Sequence, residues 1–219
     1  MRAIMESLFY VIYLVFIVGV GIYMTINKNK KDNKLFGLAC VILGFGDAFH
    51  LIPRSVGLFT KTLDNPSEVL ASWLGIGKLV TSITMTIFYV LLYLFIFKKV
   101  GKKRNLLLDV CVGVLTISRF VLCALPQNGW LHNDSNLTMG IVRNIPFTLL
   151  GILVIVLAFI NFKELKPYRG LWILIILSFA FYLPVVLLAG MYSFVGMLML
   201  PKTICYMIIG YLGFKDIRK

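Results

Sequence analysis

Residues 8–34, LFYVIYLVFIVGVGIYMTINKNKKDNK, decide the fold because an uncharged apolar run ends abruptly in a basic cluster. A transmembrane helix needs about 20 predominantly apolar residues, and the run from Leu8 to Ile26 meets that requirement. No small-x-small cleavage site follows the run, and the basic cluster lies after it instead of before it. We therefore interpret this stretch as a retained membrane helix and not as a signal peptide.

Further apolar runs of similar character follow along the chain. Overall, 60% of the residues are hydrophobic and 14% are charged, whereas globular proteins average about 45–50% apolar and about 25% charged residues. The sequence predicts an all-α, polytopic membrane protein in which residues 1–219 form a single seven-helix transmembrane domain. The predicted spans are Leu8–Ile26, Leu35–Pro53, Val69–Phe97, Leu106–Leu125, Ile141–Phe162, Leu171–Ala189 and Phe194–Phe214.

The basic residues are distributed unevenly between the two sides of the predicted bundle. Fifteen of the 22 Lys and Arg residues cluster after the first, third and fifth helices or in the C-terminal tail. Because Lys and Arg are retained on the cytoplasmic side, this pattern predicts an N-terminus outside and a C-terminus inside, in the plasma (cytoplasmic) membrane. The same clustering explains the net charge of +13 without a nucleic-acid partner.

The cysteines and histidines form no recognisable ligand pattern. All four cysteines lie within apolar runs, no CxxC pair occurs, and His50 is far from His132 in the sequence. A disulfide framework or a zinc site is therefore not expected. We expect no metal and no cofactor, and we interpret the cysteines as small buried hydrophobes. They are Cys40, Cys111, Cys123 and Cys205.

A faint internal similarity relates the two halves of the chain. Residues 48–53 read AFHLIP in helix two, and residues 180–184 read AFYLP in helix six. Lys78 in helix three and Lys202 in helix seven lie at similar depths from the outer end. These features predict a 3+1+3 internal repeat with helix four as the connector. The layout resembles the sugar and vitamin carriers built on 3+1+3 helices, although their signature residues are not found here.

Charged residues within the predicted spans are the main functional clue. A charge that faces lipid costs about 2.5–3.5 kcal/mol or more, so such side chains usually face the bundle interior. Asp47, His50 and Arg54 are spaced i, i+3 and i+7 and share one face of helix two. The other candidates lie in the outer halves of helices three, four, five and seven. They are Lys78, Arg119, Arg143 with Asn144, and Lys202.

Cations outnumber acids in this outer half. Glu6 and Asp47 are the acids available there, whereas Asp109 is expected near Lys103 and Arg104 at the inner end. Uncompensated cations in low dielectric are unfavourable unless water, carbonyl groups or an anion completes their environment. We therefore predict an outward-facing basic pocket that binds or transports a small anionic solute or a lipid headgroup. Membrane lipids and this anion are the expected partners, and no sequence feature indicates an oligomeric state.

Structural roles for the same residues remain open at this stage. Arg54 and Arg143 could extend toward the outer headgroups. Lys78, Lys202 or Arg119 could form an ion pair with Asp47 whose only role is structural, and His50 could be a packing residue. The hydroxyl groups spaced along helix three could serve only to join neighbouring helices.

Two other classes of function are alternatives. Asp47 and His50 could act as the acid–base pair of a membrane-embedded enzyme that modifies a lipid, although an enzyme is the less favoured interpretation. The chain could also be a seven-helix receptor or sensor. Its layout resembles the retinal-binding rhodopsins in the helix number, the orientation and the lysine in helix seven, Lys202. No acidic residue occurs in helix three to serve as a counterion.

Overall fold

The computed structural model describes residues 2–27, 33–63, 65–132, 137–188 and 192–218. In these residues the chain forms seven α-helices and two short 3-10 segments, and no β-strand. The helices are α1 (Arg2–Ile26), α2 (Lys34–Thr60), α3 (Glu68–Val100), α4 (Leu106–Ala124), α5 (Leu137–Ile160), α6 (Leu171–Leu188) and α7 (Met199–Ile217). The 3-10 segments are Pro126–Asn128 and Ser193–Leu198.

Seven segments of the described chain are long and apolar enough to cross a membrane. This finding confirms the predicted all-α class and the seven candidate spans. The orientation and the 3+1+3 repeat remain predictions. Lys28, Lys30 and Lys31 of the first basic cluster lie outside the described residues, as does Ala189, the predicted end of the sixth span.

Two predicted boundaries in the first half of the chain were too short. The first helix begins at Arg2 instead of Leu8, and α2 continues through Pro53 to Thr60. Proline lacks the N–H that would bond the carbonyl of Phe49 one turn earlier. Gly77 of α3 lies against that carbonyl, where any added Cβ would collide with it. Close packing of α3 therefore supports α2 at the point where its own hydrogen bonding is weakened.

The seventh span was predicted as one continuous helix from Phe194 to Phe214. The structure instead has a 3-10 segment over Ser193–Leu198, and α7 follows it. Lys202 consequently lies in the first turn of α7 and not about two turns into a helix, as the sequence suggested. Pro201 next to it is tolerated there because the first N–H groups of a helix have no intrahelical partner.

Glycines allow the first two helices and the last one to approach one another closely. A Cβ on Gly44 of α2 would lie 2.7 Å from the Ile17 side chain of α1. A Cβ on Gly210 of α7 would lie at the same distance from Ile17. This packing brings the inward faces of α1, α2 and α7 together, and those faces carry Tyr13, Asp47 and Lys202.

Contacts between helix ends define the two ends of the bundle. At the end where α1 begins, called the N-terminal end below, Arg54 Nη2 is 3.5 Å from Glu6 Oε2. At the end where α7 finishes, called the C-terminal end, Lys99 Nζ is 2.5 Å from Asp216 Oδ2. Large apolar side chains are exposed along the helices between these ends, as expected of a surface covered by lipid.

Candidate functional site

Asp47 is held by α1 and faces a cation of α7. The Tyr13 hydroxyl is fully buried and donates a hydrogen bond to Asp47 Oδ2 at 2.5 Å. Lys202 is 6% exposed, and its charge acts on the Asp47 carboxylate. No contact within salt-bridge distance joins the two groups in the described part of the chain. The structure therefore brings the predicted residues Asp47 and Lys202 together without pairing them directly.

Lys202 is surrounded by aromatic rings. Its Nζ lies 4.4 Å from the ring centroid of Tyr182 in α6 and 5.7 Å from that of Tyr206 in its own helix. A ring face attracts a cation, and the interaction is worth about 2 kcal/mol or more when water is excluded. The rings stabilise the ammonium group but contribute no negative charge.

Arg119 is the most deeply buried cation of the predicted set, with 1% of its surface exposed. Its Nη1 donates a hydrogen bond to the backbone carbonyl of Arg143. Its Cζ lies 5.2 Å from the ring centroid of Phe147. The Nε group is buried and has no hydrogen-bond partner among the described residues. The Arg119 guanidinium is thus held by neutral groups and retains an unused donor.

Arg143 is anchored by the turn that follows α4. Its Nη1 donates to Asn128 Oδ1 at 2.7 Å, and its Cζ lies 4.3 Å from the Trp130 ring centroid. Asn128 Nδ2 in turn donates to the carbonyl of Leu122 at 2.8 Å, and Trp130 Nε1 donates to that of Cys123 at the same distance. The Nε of Arg143 is buried and unpartnered among the described residues. These contacts hold Arg143 within the protein, and its extension toward the headgroups stays a prediction.

Asn144 holds the tyrosine that contacts Lys202. The Tyr182 hydroxyl donates to Asn144 Oδ1 at 2.7 Å, and Asn144 Nδ2 donates to the carbonyl of Gly140 at 2.7 Å. Since the Tyr182 ring also lies against Lys202, this tyrosine links α5, α6 and α7 at the N-terminal end. Asn144 thus orients a ring that contacts a cation.

Arg54 forms a separate group with α1. Its Nε donates to the Tyr10 hydroxyl at 3.0 Å, and Tyr10 donates to Glu6 Oε2 at 3.1 Å. Glu6 is 5% exposed and accepts a 3.5 Å contact from Arg54 Nη2 as well. Arg54 therefore has a carboxylate partner within the protein, and its extension toward the headgroups stays a prediction.

His50 and Lys78 lie near the same cations. The charges of Lys78, Arg54 and Lys202 all act on the His50 imidazole, and those of Arg143 and Arg54 act on Lys78. His50 Nδ1 is shielded from solvent and has no hydrogen-bond partner within the described residues. All eight predicted site residues therefore lie in this N-terminal region. Within it, Arg54 contacts Glu6 and Tyr10.

The hydroxyl groups along α3 divide into two kinds. Ser82 and Thr86 donate to carbonyls of their own helix, each at 2.8 Å, and so join no other helix. The Tyr89 hydroxyl lies 3.3 Å from the Tyr206 hydroxyl of α7, and the Tyr93 hydroxyl donates to Asp109 Oδ1 of α4 at 2.7 Å. Of these four side chains only the tyrosines join neighbouring helices. Thr81 of α3 adds another such contact, because its hydroxyl donates to the carbonyl of Gly46 in α2 at 3.0 Å.

Cations at the C-terminal end are paired differently. Besides the Lys99–Asp216 pair, Lys102 lies 3.1 Å from Glu164. Arg104 lies 3.7 Å from Asp109, which confirms that this acid lies near Arg104. In contrast, no carboxylate of the described chain lies within salt-bridge distance of Arg119, Arg143 or Lys202. The predicted excess of cations is therefore present in the structure at these three residues.

Sequence reasoning missed the neutral groups that hold these cations. Asn128, Trp130 and Phe147 carry no charge and belong to a turn and to an apolar helix, so charge patterning gave no signal for them. Tyr13 was identifiable because it shares a face of α1 with Glu6 and Tyr10 at i, i+4 and i+7 spacing. No three His, Cys, Asp or Glu side chains among the described residues are grouped so that they could hold a metal ion.

The described residues contain seven helices that are long and apolar enough to cross a membrane. This architecture is that of a polytopic membrane protein. A scan against protein-family models gives no match. Searches of curated proteins and of solved structures likewise give no match.

Proposed function

We propose that this protein is a multi-pass plasma-membrane protein that binds a small anionic solute or a lipid headgroup at its N-terminal end, which faces outward. The observation that carries the proposal is the group of Arg119, Arg143 and Lys202, defined here as the cation group. Its three buried or half-buried cations contact ring faces, an amide and a carbonyl, and no described carboxylate lies within salt-bridge distance. An anion placed between them would supply the missing negative charge.

The contacts of the cation group also favour a ligand with several acceptor oxygens. Arginine presents its donors in a planar fork that matches a carboxylate or a phosphate. The buried Nε groups of Arg119 and Arg143 are both without partners among the described residues. Two unsatisfied donors on neighbouring arginines are consistent with recognition of an oxyanion, which would accept hydrogen bonds from both.

Asp47 fits a balancing role in this proposal. Tyr13 holds its carboxylate in place, and Lys202 lies near enough for the two charges to interact. In the absence of an anion, Asp47 is the nearby negative charge that partly offsets Lys202. When an anion is bound, Lys202 can interact with the ligand while Asp47 retains its hydrogen bond from Tyr13.

Thermal unfolding of the detergent-purified protein tests the proposal. The probes are inorganic phosphate, sulfate, citrate and short-chain phosphatidylglycerol, each compared with a chloride control at equal ionic strength. A ligand at about 100 times its Kd stabilises the folded state by about 2.7 kcal/mol. We expect at least one probe to raise the Tm of the wild type but not of Arg119→Gln or Lys202→Gln.

Lys99→Gln is the matched control because Lys99 is a cation at the opposite end with a carboxylate partner. It should keep the full ligand-induced rise in Tm, even if its starting Tm is lower. Stabilisation by phosphatidylglycerol alone would favour the lipid headgroup, and stabilisation by phosphate or citrate would favour the solute. If no anion shifts the wild type, or if Lys99→Gln loses the shift equally, the cation group is not a ligand site.

An acid–base enzyme is the second candidate, supported by the unpartnered Nδ1 of His50 on the same helix face as Asp47. Under this alternative His50→Gln would abolish turnover of a lipid substrate while anion binding persisted. Retention of both properties by His50→Gln would leave His50 as a packing residue.

A further inference from the structure

A cluster of three aromatic rings closes the C-terminal end of the bundle. Tyr168, in the segment between α5 and α6, lies 5.0 Å from Phe36 of α2 and 4.9 Å from Phe95 of α3, measured between ring centroids. Phe36 and Phe95 are also 4.9 Å apart. All three rings are at most 1% exposed. We define Phe36, Phe95 and Tyr168 as the aromatic plug.

Polar contacts hold the aromatic plug in place. Lys99 Nζ lies 2.5 Å from Asp216 Oδ2 and 5.8 Å from the Tyr168 ring centroid. Asn33 Nδ2 donates to the same Asp216 oxygen at 2.8 Å. These contacts tie the beginning of α2, the end of α3 and the end of α7 around the ring supplied by the connecting segment.

Tyr168 differs from the two phenylalanines because it comes from a connecting segment and not from a spanning helix. Burial, followed by the nearby charge of Asp216, raises the pKa of Tyr168, so its ring stays neutral. Its hydroxyl is buried, and the Asp216 carboxylate that Lys99 and Asn33 contact acts on it. These contacts hold Tyr168 between Phe36 and Phe95, and once they are released a connecting segment can move without displacing a helix.

The inward face of α2 links the plug to the cation group. Phe36, Cys40 and Asp47 are spaced so that they share this face, at i, i+4 and i+11. A helix rises about 1.5 Å per residue, so Cys40 lies about 6 Å beyond Phe36 and about 10 Å before Asp47. Cys40 is fully buried and lies on this face between the aromatic plug and Asp47. It is therefore a native reporter between the two ends.

We infer that the segment carrying Tyr168 is the inner gate of a carrier: its withdrawal opens the C-terminal end so that the anion bound at the N-terminal end can leave toward the cytoplasm. This inference rests on the proposed function and extends it from binding to transport. The structure corresponds to the closed inner gate.

Accessibility of Cys40 tests the gate without any ligand. The background protein carries Cys111→Ala, Cys123→Ala and Cys205→Ala, and it is labelled in inverted membrane vesicles with a membrane-impermeant methanethiosulfonate. Labelling of the background should be slow, and Tyr168→Ala should accelerate it at least tenfold. In right-side-out vesicles the same substitution should leave the rate unchanged.

Matched variants separate gate opening from general loosening. Phe162→Ala removes a ring from the same segment that stacks on Phe159 and not on the plug, so it should label as slowly as the background. Tyr168→Phe keeps the ring and should also label slowly. Lys99→Met removes the contacts of Lys99 with Asp216 and the Tyr168 ring and keeps all three rings of the plug. It should accelerate labelling more than Phe162→Ala and less than Tyr168→Ala.

The inference is overturned if neither Tyr168→Ala nor Lys99→Met accelerates labelling in inverted vesicles. It is also overturned if Phe162→Ala accelerates it as much as Tyr168→Ala, or if the acceleration occurs only in right-side-out vesicles. The labelling assay contains no anion, so its result does not depend on ligand binding at the cation group. Loss of anion-induced stabilisation with normal gating would therefore refute the binding site alone, and the reverse result would refute the gate alone.

Discussion

Buried cations at the two ends of the bundle are held by different kinds of partner. At the C-terminal end, Lys99 contacts the carboxylate of Asp216. At the N-terminal end, Lys202 contacts the rings of Tyr182 and Tyr206. A carboxylate neutralises the cation, and a buried carboxylate without a cation destabilises the fold. An aromatic ring attracts the cation without changing the net charge. The Lys99–Asp216 pair is therefore neutral overall, whereas Lys202 keeps a positive charge that an anion would balance.

The depth of burial of a charged side chain does not determine whether its partner carries the opposite charge in this bundle. Arg119, at 1% exposed, is buried more deeply than Asp216, at 6%. Burial alone would suggest a stronger need for a counter-charge at Arg119. The partners contradict that expectation, because the donors of Arg119 meet a carbonyl and a ring face. A cation that is deeply buried and yet has only neutral partners is the feature that distinguishes a candidate ligand site from a structural ion pair.

Matched lysine substitutions give the largest expected contrast. Lys99→Met removes the cation that lies 2.5 Å from the buried Asp216 carboxylate, and removal of one partner of a buried pair costs about 3–5 kcal/mol. Lys202→Met loses two cation–π contacts, but it also removes the cost of burying an ammonium group that has no carboxylate within salt-bridge distance. Without an anion its net loss should therefore be smaller than that of Lys99→Met. Reversible unfolding in mixed detergent micelles measures both free energies of unfolding.

The contrast between the two ends would disappear if Lys202→Met were as destabilising as Lys99→Met. That result would mean that Lys202 and Asp47 function as a structural ion pair despite their separation. Asp47→Asn in the Lys202→Met background provides the control, because the two changes should then be strongly non-additive.

Removal of the ring beneath Arg143 should have the next largest effect. Trp130→Leu eliminates the ring face and the hydrogen bond from Nε1 to the carbonyl of Cys123. We expect a loss of about 2 kcal/mol in the free energy of unfolding, from the cation–π contact and the hydrogen bond together. Trp130→Phe keeps a ring and should recover about half of this loss. Equal losses in both variants would show that the ring does not stabilise Arg143.

Tyr182 offers a smaller test of how the cation group is arranged. Tyr182→Phe removes the hydrogen bond to Asn144 but keeps the ring next to Lys202. The free energy of unfolding should fall by about 1 kcal/mol, the usual net value of one hydrogen bond. If the ring is positioned by Asn144, the Kd of the stabilising anion should increase as well. An unchanged Kd would separate Tyr182 from the ligand site.

The sequence was sufficient to predict the helix count because apolar length is a local property. It was also sufficient to predict that cations exceed acids near Asp47, since charge can be counted along each span. The partners of these cations were not predictable. Whether Arg143 stacks on Trp130 or reaches the headgroups depends on how the turn at Asn128 folds against α4, and that geometry involves several segments. Similarly, the sequence of α2 did not predict that the helix continues past Pro53, where Gly77 of α3 packs closely against it.

The smallest effect is expected for the exposed pair at the C-terminal end. Lys102 and Glu164 are 53% and 50% exposed, so water and salt screen their attraction. Glu164→Gln should change the free energy of unfolding by less than about 1 kcal/mol, and the change should shrink further at high salt. The same measurement on Asp216→Asn should give a larger, less salt-sensitive loss. Equal losses would mean that burial does not change how much an ion pair at this end contributes to the free energy of unfolding. The comparison of Lys99 with Lys202 would then lose its basis.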